Sequence, residues 1–192
     1  MRCGLHNSSR IVFLNGVGSA GKGSIARALQ TITAEPFLHV EMDAFLHMLP
    51  EASFTDPSGM LFETVHENGK PKVIIKTGPV GDRVMRGMRH AIAALAAQGN
   101  SLIVDEVMSG HDSVESREYA KLFQPFKVFM VGVFASLETL EARERQRGDR
   151  MIGLARGQYE TVHQGMKYEL EINTDRITPH EGAQLIKQKF EL

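Results

Sequence analysis

The apolar run RIVFLN, Arg10 to Asn15, passes directly into the glycine-rich segment GVGSAGKGS, Gly16 to Ser24. From there the chain enters a stretch that sets Ile25, Ala28, Leu29 and Ile32 on one helical face. A continuous short apolar run is the pattern of a strand buried on both faces of a parallel sheet. Glycines between such a strand and a helix let successive backbone N–H groups turn inward around a polyphosphate, and the helix start adds partial positive charge. The spacing G-x-x-x-x-G-K places Lys22 where it can span the outer phosphates. The residues expected to hold a nucleotide are therefore Gly16, Gly18, Ser19, Ala20, Gly21, Lys22, Gly23 and Ser24.

The rest of the chain alternates in the same way. Strands are expected at Phe37 to Met42, Ser101 to Val107, Lys127 to Val133 and Tyr168 to Asn173. Helices are expected over residues 44–49, 82–98, 136–147 and 153–163, and from a capping box at Thr178, Pro179 and Glu181. This order predicts an α/β P-loop nucleoside triphosphate hydrolase or kinase fold, a parallel sheet flanked by helices on both faces. Residues 50–80 interrupt it as an insertion, with an Asn68-Gly69 hairpin turn. Residues 1–9 read as a polar leader and 10–192 as one domain, with a lid at about 143–163.

Composition excludes several classes. The 22 Lys and Arg against 23 Asp and Glu leave no field to draw the chain to nucleic acid or anionic lipid. No window approaches a membrane span, and the lone Cys3 cannot form an internal disulfide, so a soluble, cytoplasmic protein is expected. Whether it forms a homo-oligomer is left open. No pair among the eight histidines has zinc-site spacing, and His39, on a buried strand, reads as a satisfied core residue.

In a parallel sheet the loops after the strands share one edge, where ligands bind. The glycine loop, Asp43 and the Asp105-Glu106 pair should therefore converge. Asp105, after an apolar run, is the candidate carboxylate beside a Mg²⁺ ion, whose site either the Ser24 hydroxyl or water completes. Asp43 fits two roles equally: proton acceptor for a substrate hydroxyl, or N-cap of the helix AFLHML. Arg143, Arg145, Arg147 and Arg150 cluster where a lid could place guanidinium groups on a transferring phosphoryl, with Arg147 and Arg150 the favoured pair.

Loops of this kind normally carry Ser or Thr after the lysine, but here Gly23 stands there and the hydroxyl follows at Ser24, an order that resembles nucleoside monophosphate kinases. Beyond the loop, IVFLNGVGSAGKGS, MDAFLHMLP and IVDEVMSG occur in the order found in the chloramphenicol phosphotransferase family, and the chain resembles that family nearly end to end. The stretch from Val131 to Thr174, with RGDR, His163 and Tyr168, is similar to the family's last strands and lid. The resemblance implies an ATP- and Mg²⁺-dependent kinase acting on a small-molecule hydroxyl acceptor. In it Lys22 would contact ATP phosphates, Asp43 would be the general base, and Arg147 and Arg150 would belong to the lid. The family typically has Ser where this chain has Gly23 and Ala44, so the acceptor itself is not carried over. Another small metabolite, such as a nucleotide or sugar acid, is an alternative acceptor, and a non-kinase ATP-binding switch is an alternative function.

Overall fold

In the computed structural model, which describes residues 9–192, five parallel strands form a sheet in the order β2-β5-β1-β6-β7. They are β1 (Arg10–Asn15), β2 (Phe37–Glu41), β5 (Ser101–Glu106), β6 (Lys127–Phe134) and β7 (Leu170–Asn173). A separate antiparallel hairpin joins β3 (Met60–Glu67) to β4 (Lys70–Thr77). Cys3 and the leader up to residue 8 lie outside the described residues. Ser9, assigned to that leader by sequence, instead belongs to the folded body: it is buried and its hydroxyl donates to the Ala96 carbonyl at 2.6 Å.

The twofold period of the central strand divides the core into two layers. Val12 and Leu14 of β1 face one side, packing with Ile25 and Leu29 of α1 (Lys22–Ile32) and Ile186 and Phe190 of α7 (Pro179–Phe190). Ile11 and Phe13 face the other, against Met88 and Ile92 of α3 (Pro79–Ala97) and Tyr119 of α4 (Val114–Leu122). Each such aliphatic side chain contributes about 1.5–3 kcal/mol on full burial. With both faces covered, β1 carries no polar side chain between Arg10 at its start and Asn15 at its end.

The remaining helices are α2 (Met42–Leu46), α5 (Leu137–Arg147) and α6 (Leu154–Tyr159). Two boundaries differ from the sequence reading in ways that matter. β2 ends at Glu41, so Asp43 stands in the first turn of α2 rather than at a strand end, and the N-cap position belongs to Glu41. The helix expected at 153–163 is shorter, ending at Tyr159.

The hairpin turns at Asn68-Gly69 as expected, with both residues at positive φ (51° and 74°). It does not hang free. The Val73 N–H donates to the Gly153 carbonyl at 2.9 Å, and a Cβ at Gly157 would lie 1.9 Å from the Val73 carbonyl oxygen. Only glycine at 157 lets α6 lie this close to β4. Glu144, on a helix of mostly charged residues, is buried and accepts from the Gly153 and Ala155 N–H groups, both at 2.7 Å, which holds the start of α6.

Candidate active site

The glycine loop starts where β1 and β5 run side by side. The Gly16 N–H donates to the Glu106 carbonyl at 3.3 Å, and a Cβ on Gly16 would meet the Val133 carbonyl oxygen at 2.4 Å, which excludes any other residue. Ser19 and Gly21 both take positive φ, 66° and 94°, curling the backbone back toward α1. That helix has no side-chain cap at its start, so its first N–H groups stay available to an anion. Lys22 is buried and donates to the Gly16 and Val17 carbonyls at 2.9 and 3.1 Å, with Asp105 Oδ1 3.5 Å away.

Residues from later in the chain brace this loop. The Gly18 N–H donates to Gln158 Oε1 of α6 at 2.8 Å. Arg143 donates to the Thr174 hydroxyl and carbonyl, both at 2.9 Å, while the Thr174 hydroxyl donates to the Ala20 carbonyl at 3.0 Å. Arg143, at the start of the stretch read as a lid, is thus a fixed support behind the loop. Asn15 donates to the Val162 carbonyl at 3.1 Å and to the Tyr168 hydroxyl at 2.9 Å, and its Oδ1 accepts from the Met108 N–H at 2.8 Å. The Tyr168 hydroxyl in turn lies 2.8 Å from His163 Nδ1. Burial, helped by the charge of Lys22, lowers the His163 pKa to about 4, so the neutral ring shares a hydrogen bond with the tyrosine hydroxyl. Neither Gln158 nor Asn15 was singled out by sequence. An amide on a short helix carries no signal, but Asn15, a polar residue closing an apolar strand, carries one.

Two clefts meet at Asp43. One, of about 410 Å³, is lined by Gly18, Ser19 and Gly21 to Ser24 of the glycine loop and by Glu41, Asp105, Arg147 and Gln158. The other, of about 880 Å³, lies among α2, the hairpin, α3 and α4, with Leu46, Met60, Phe62, Met85 and Arg86 on its walls. Asp43 and Arg150 line both, together with Met42, Val107 and Gln158. Arg150 pairs directly with the Asp43 carboxylate, whereas Arg147 is turned to Asp149, its Nε and Nη2 donating at 3.1 Å each. The sequence set of Lys22, Asp43, Ser24, Asp105, Arg147 and Arg150 is therefore brought to one place, with only Arg150 touching Asp43.

The two acids that end β5 part company. Burial alone would raise Asp105, but Lys22 and His39 hold its carboxyl below the usual range. Burial raises Glu106 to about 7 despite the Tyr119 hydroxyl, which donates to its Oε2 at 2.7 Å. His39 departs from the sequence expectation: its ring is nine-tenths buried, yet Nε2 has no hydrogen-bond partner. A strand position predicts burial, but not whether a ring nitrogen is satisfied.

The sequence profile of the chloramphenicol phosphotransferase-like proteins matches residues 9–191. This chain belongs to that family. It is 30% identical over 191 residues to proteins of two Mycobacterium tuberculosis strains named "Putative O-phosphotransferase", covering 95% of this chain and 82% of theirs. In fold it matches the APS kinase of Mycobacterium tuberculosis, solved with AMPPNP and APS, at a TM-score of 0.64 and 16% identity over 96% of this chain and 99% of the other. An unliganded sugar kinase from Janibacter sp. HTCC2649 matches at 0.62 and 18% identity, over 95% of each chain. The family and the P-loop kinase fold make the chain a small-molecule phosphotransferase. Among the described residues no helix is long and apolar enough to cross a membrane.

Proposed function

We propose that this protein transfers the γ-phosphoryl group of ATP to a hydroxyl of a small molecule held in the larger cleft, with Asp43 receiving the hydroxyl proton. The observation that carries this reading is the position of Asp43 and Arg150 on the shared wall of the two clefts. ATP phosphates lie along Gly16 to Ser24, and Lys22 leaves the loop carbonyls to meet them. The acceptor hydroxyl comes from the other side. As its oxygen bonds to the phosphorus, its proton passes to the Asp43 carboxylate and the bond to the ADP oxygen breaks. Arg150 has five N–H donors in a planar fork, enough to keep Asp43 oriented while also meeting the charge on the phosphoryl oxygens. Arg147, now held by the exposed Asp149, is the second guanidinium within reach of the loop-side cleft.

Mg²⁺ suits this site, because Asp105 and Ser24 line the loop-side cleft and Gly23 leaves open the space that a side chain would fill. When bound it neutralises charge on the outer phosphates. Residues 10–192, together with Ser9, act as one domain, and ATP as donor fits a cytoplasmic protein.

The test is phosphorylated product, detected by mass spectrometry, from purified protein, Mg-ATP and a panel of chloramphenicol, nucleosides, nucleotides and hydroxylated metabolites. The wild type should modify one acceptor, and Asp43→Asn should lose about 10²–10⁴-fold in turnover while binding ATP as before. Equal turnover in the two proteins would rule out Asp43 as the base.

A further inference from the structure

At the edge of the loop-side cleft, which Glu41 and Asp105 line, stands a donor set that Mg-ATP binding does not itself require. His39, Glu41 and Asp105 each present one donor atom, and the three lie within 4.8 Å of one another. His39 Nδ1 is 3.5 Å from Glu41 Oε1, and His39 Nε2 is 3.9 Å from Asp105 Oδ2. Two donors on one octahedral ion stand roughly 3.0 Å apart when adjacent and roughly 4.2 Å apart when opposite, so Nε2 and Asp105 Oδ2 already stand at a spacing one ion can span, and the half-exposed Glu41 has to turn from the Nδ1 side to complete the set.

Acidic groups alone would carry little weight. What singles out this cluster is the imidazole: nine-tenths buried, facing Asp105, with Nε2 unpaired. A buried nitrogen without a partner is destabilising, and a metal bond would remove that cost. The oxygens of Asp105 divide the work, since Oδ1 lies toward Lys22 and Oδ2 toward His39. Gly23 belongs to the same arrangement. A Cβ there would stand 3.3 Å from both Asp105 Oδ2 and Glu41 Oε1, in the gap between the two carboxylates. The glycine that replaces the usual hydroxyl residue keeps open the space on which the acids converge.

We propose that His39, Glu41 and Asp105 form a divalent-metal site that takes an ion of the Mn²⁺ to Zn²⁺ series before nucleotide arrives, and binds it more tightly than Mg²⁺. Two carboxylates with one imidazole suit those ions, whereas Mg²⁺ prefers oxygen and keeps most of its water. The ion sits beside Gly23 at the start of α1, ready for the outer phosphates of ATP. Only this last role rests on the kinase reading; binding of the ion does not.

Nucleotide-free, untagged protein is titrated with Mn²⁺, following loss of the free-ion electron paramagnetic resonance signal, and with Co²⁺, following its visible absorption. The wild type should bind one Mn²⁺ that excess Mg²⁺ displaces poorly. Glu41→Gln and His39→Gln should each weaken it about tenfold or more. Glu41 is partly exposed, so Glu41→Gln should melt like the wild type and decides the matter if the strand variant folds badly. Absence of Mn²⁺ binding without nucleotide, or binding by Glu41→Gln equal to the wild type, overturns the site. Product formation without prior ion binding defeats this proposal alone, and ion binding without product for any acceptor defeats only the kinase reading.

Discussion

The two clefts that meet at Asp43 are built from different material. The loop-side cleft is made by the ends of the central strands and by backbone: Gly16 bonded to β5, Ser19 and Gly21 at positive φ, Lys22 folded onto carbonyls. Its walls are polar and fixed by the sheet. The larger cleft has no sheet wall of its own beyond Glu106 and is enclosed by α2, the hairpin, α3 and α4, with Leu46, Met60, Phe62 and Met85 providing apolar surface. The difference separates two tasks. A polyphosphate is the same in every reaction of this kind and can be met by a rigid frame, while an acceptor is recognised by side chains on elements that can vary without disturbing the sheet.

Perturbing each side separately tests that division. Lys22→Ala should have the largest effect on the loop side, lowering kcat/KM for ATP by about 10²–10³-fold with acceptor binding unchanged. A matching loss in acceptor affinity, measured by calorimetry without ATP, would show that the clefts are not separable. Glu106, on the wall of the larger cleft, tests the other side. Its pKa near 7 in the folded protein lies above the ordinary 4.5, so the native state retains a proton that the unfolded chain releases. Its contribution is greatest below 4.5 and is lost as pH rises through 7, a change of about 3 kcal/mol at most. Thermal melting of Glu106→Gln from pH 4 to pH 8 should accordingly lack this decline, and parallel wild-type and variant curves would contradict the assignment. Phe62→Ala should have the smallest effect, raising the acceptor KM about tenfold and leaving the ATP KM alone.

What could be foreseen from sequence follows the same line. Strands buried on both faces appear as near-continuous apolar runs, and a loop whose backbone forms the site must be rich in glycine, so β1, β5, β6 and the phosphate loop were all legible. The capping box at Thr178 and Glu181 formed with both of its bonds. The helix α4 was not foreseen. Its sequence VESREYAKL is charged nearly all round and buries only Tyr119, so periodicity gives it little signal. That tyrosine nonetheless donates its hydroxyl to the buried Glu106. Buried Glu144 and the unpaired ring of His39 were missed for a related reason: hydrogen-bond satisfaction depends on partners far away in the chain, which local pattern does not report.

The docking of α6 onto the hairpin has a thermodynamic consequence. Gln158 of that helix holds the Gly18 N–H, Gly153 and Gly157 hold β4, and Ile75 and Thr77 of β4 line the larger cleft. Anything that settles the strand therefore also settles the phosphate loop. The two clefts share one helix turn of backbone, and any coupling it carries is reciprocal: whatever factor ATP would add to the affinity of the acceptor, the acceptor would return to ATP.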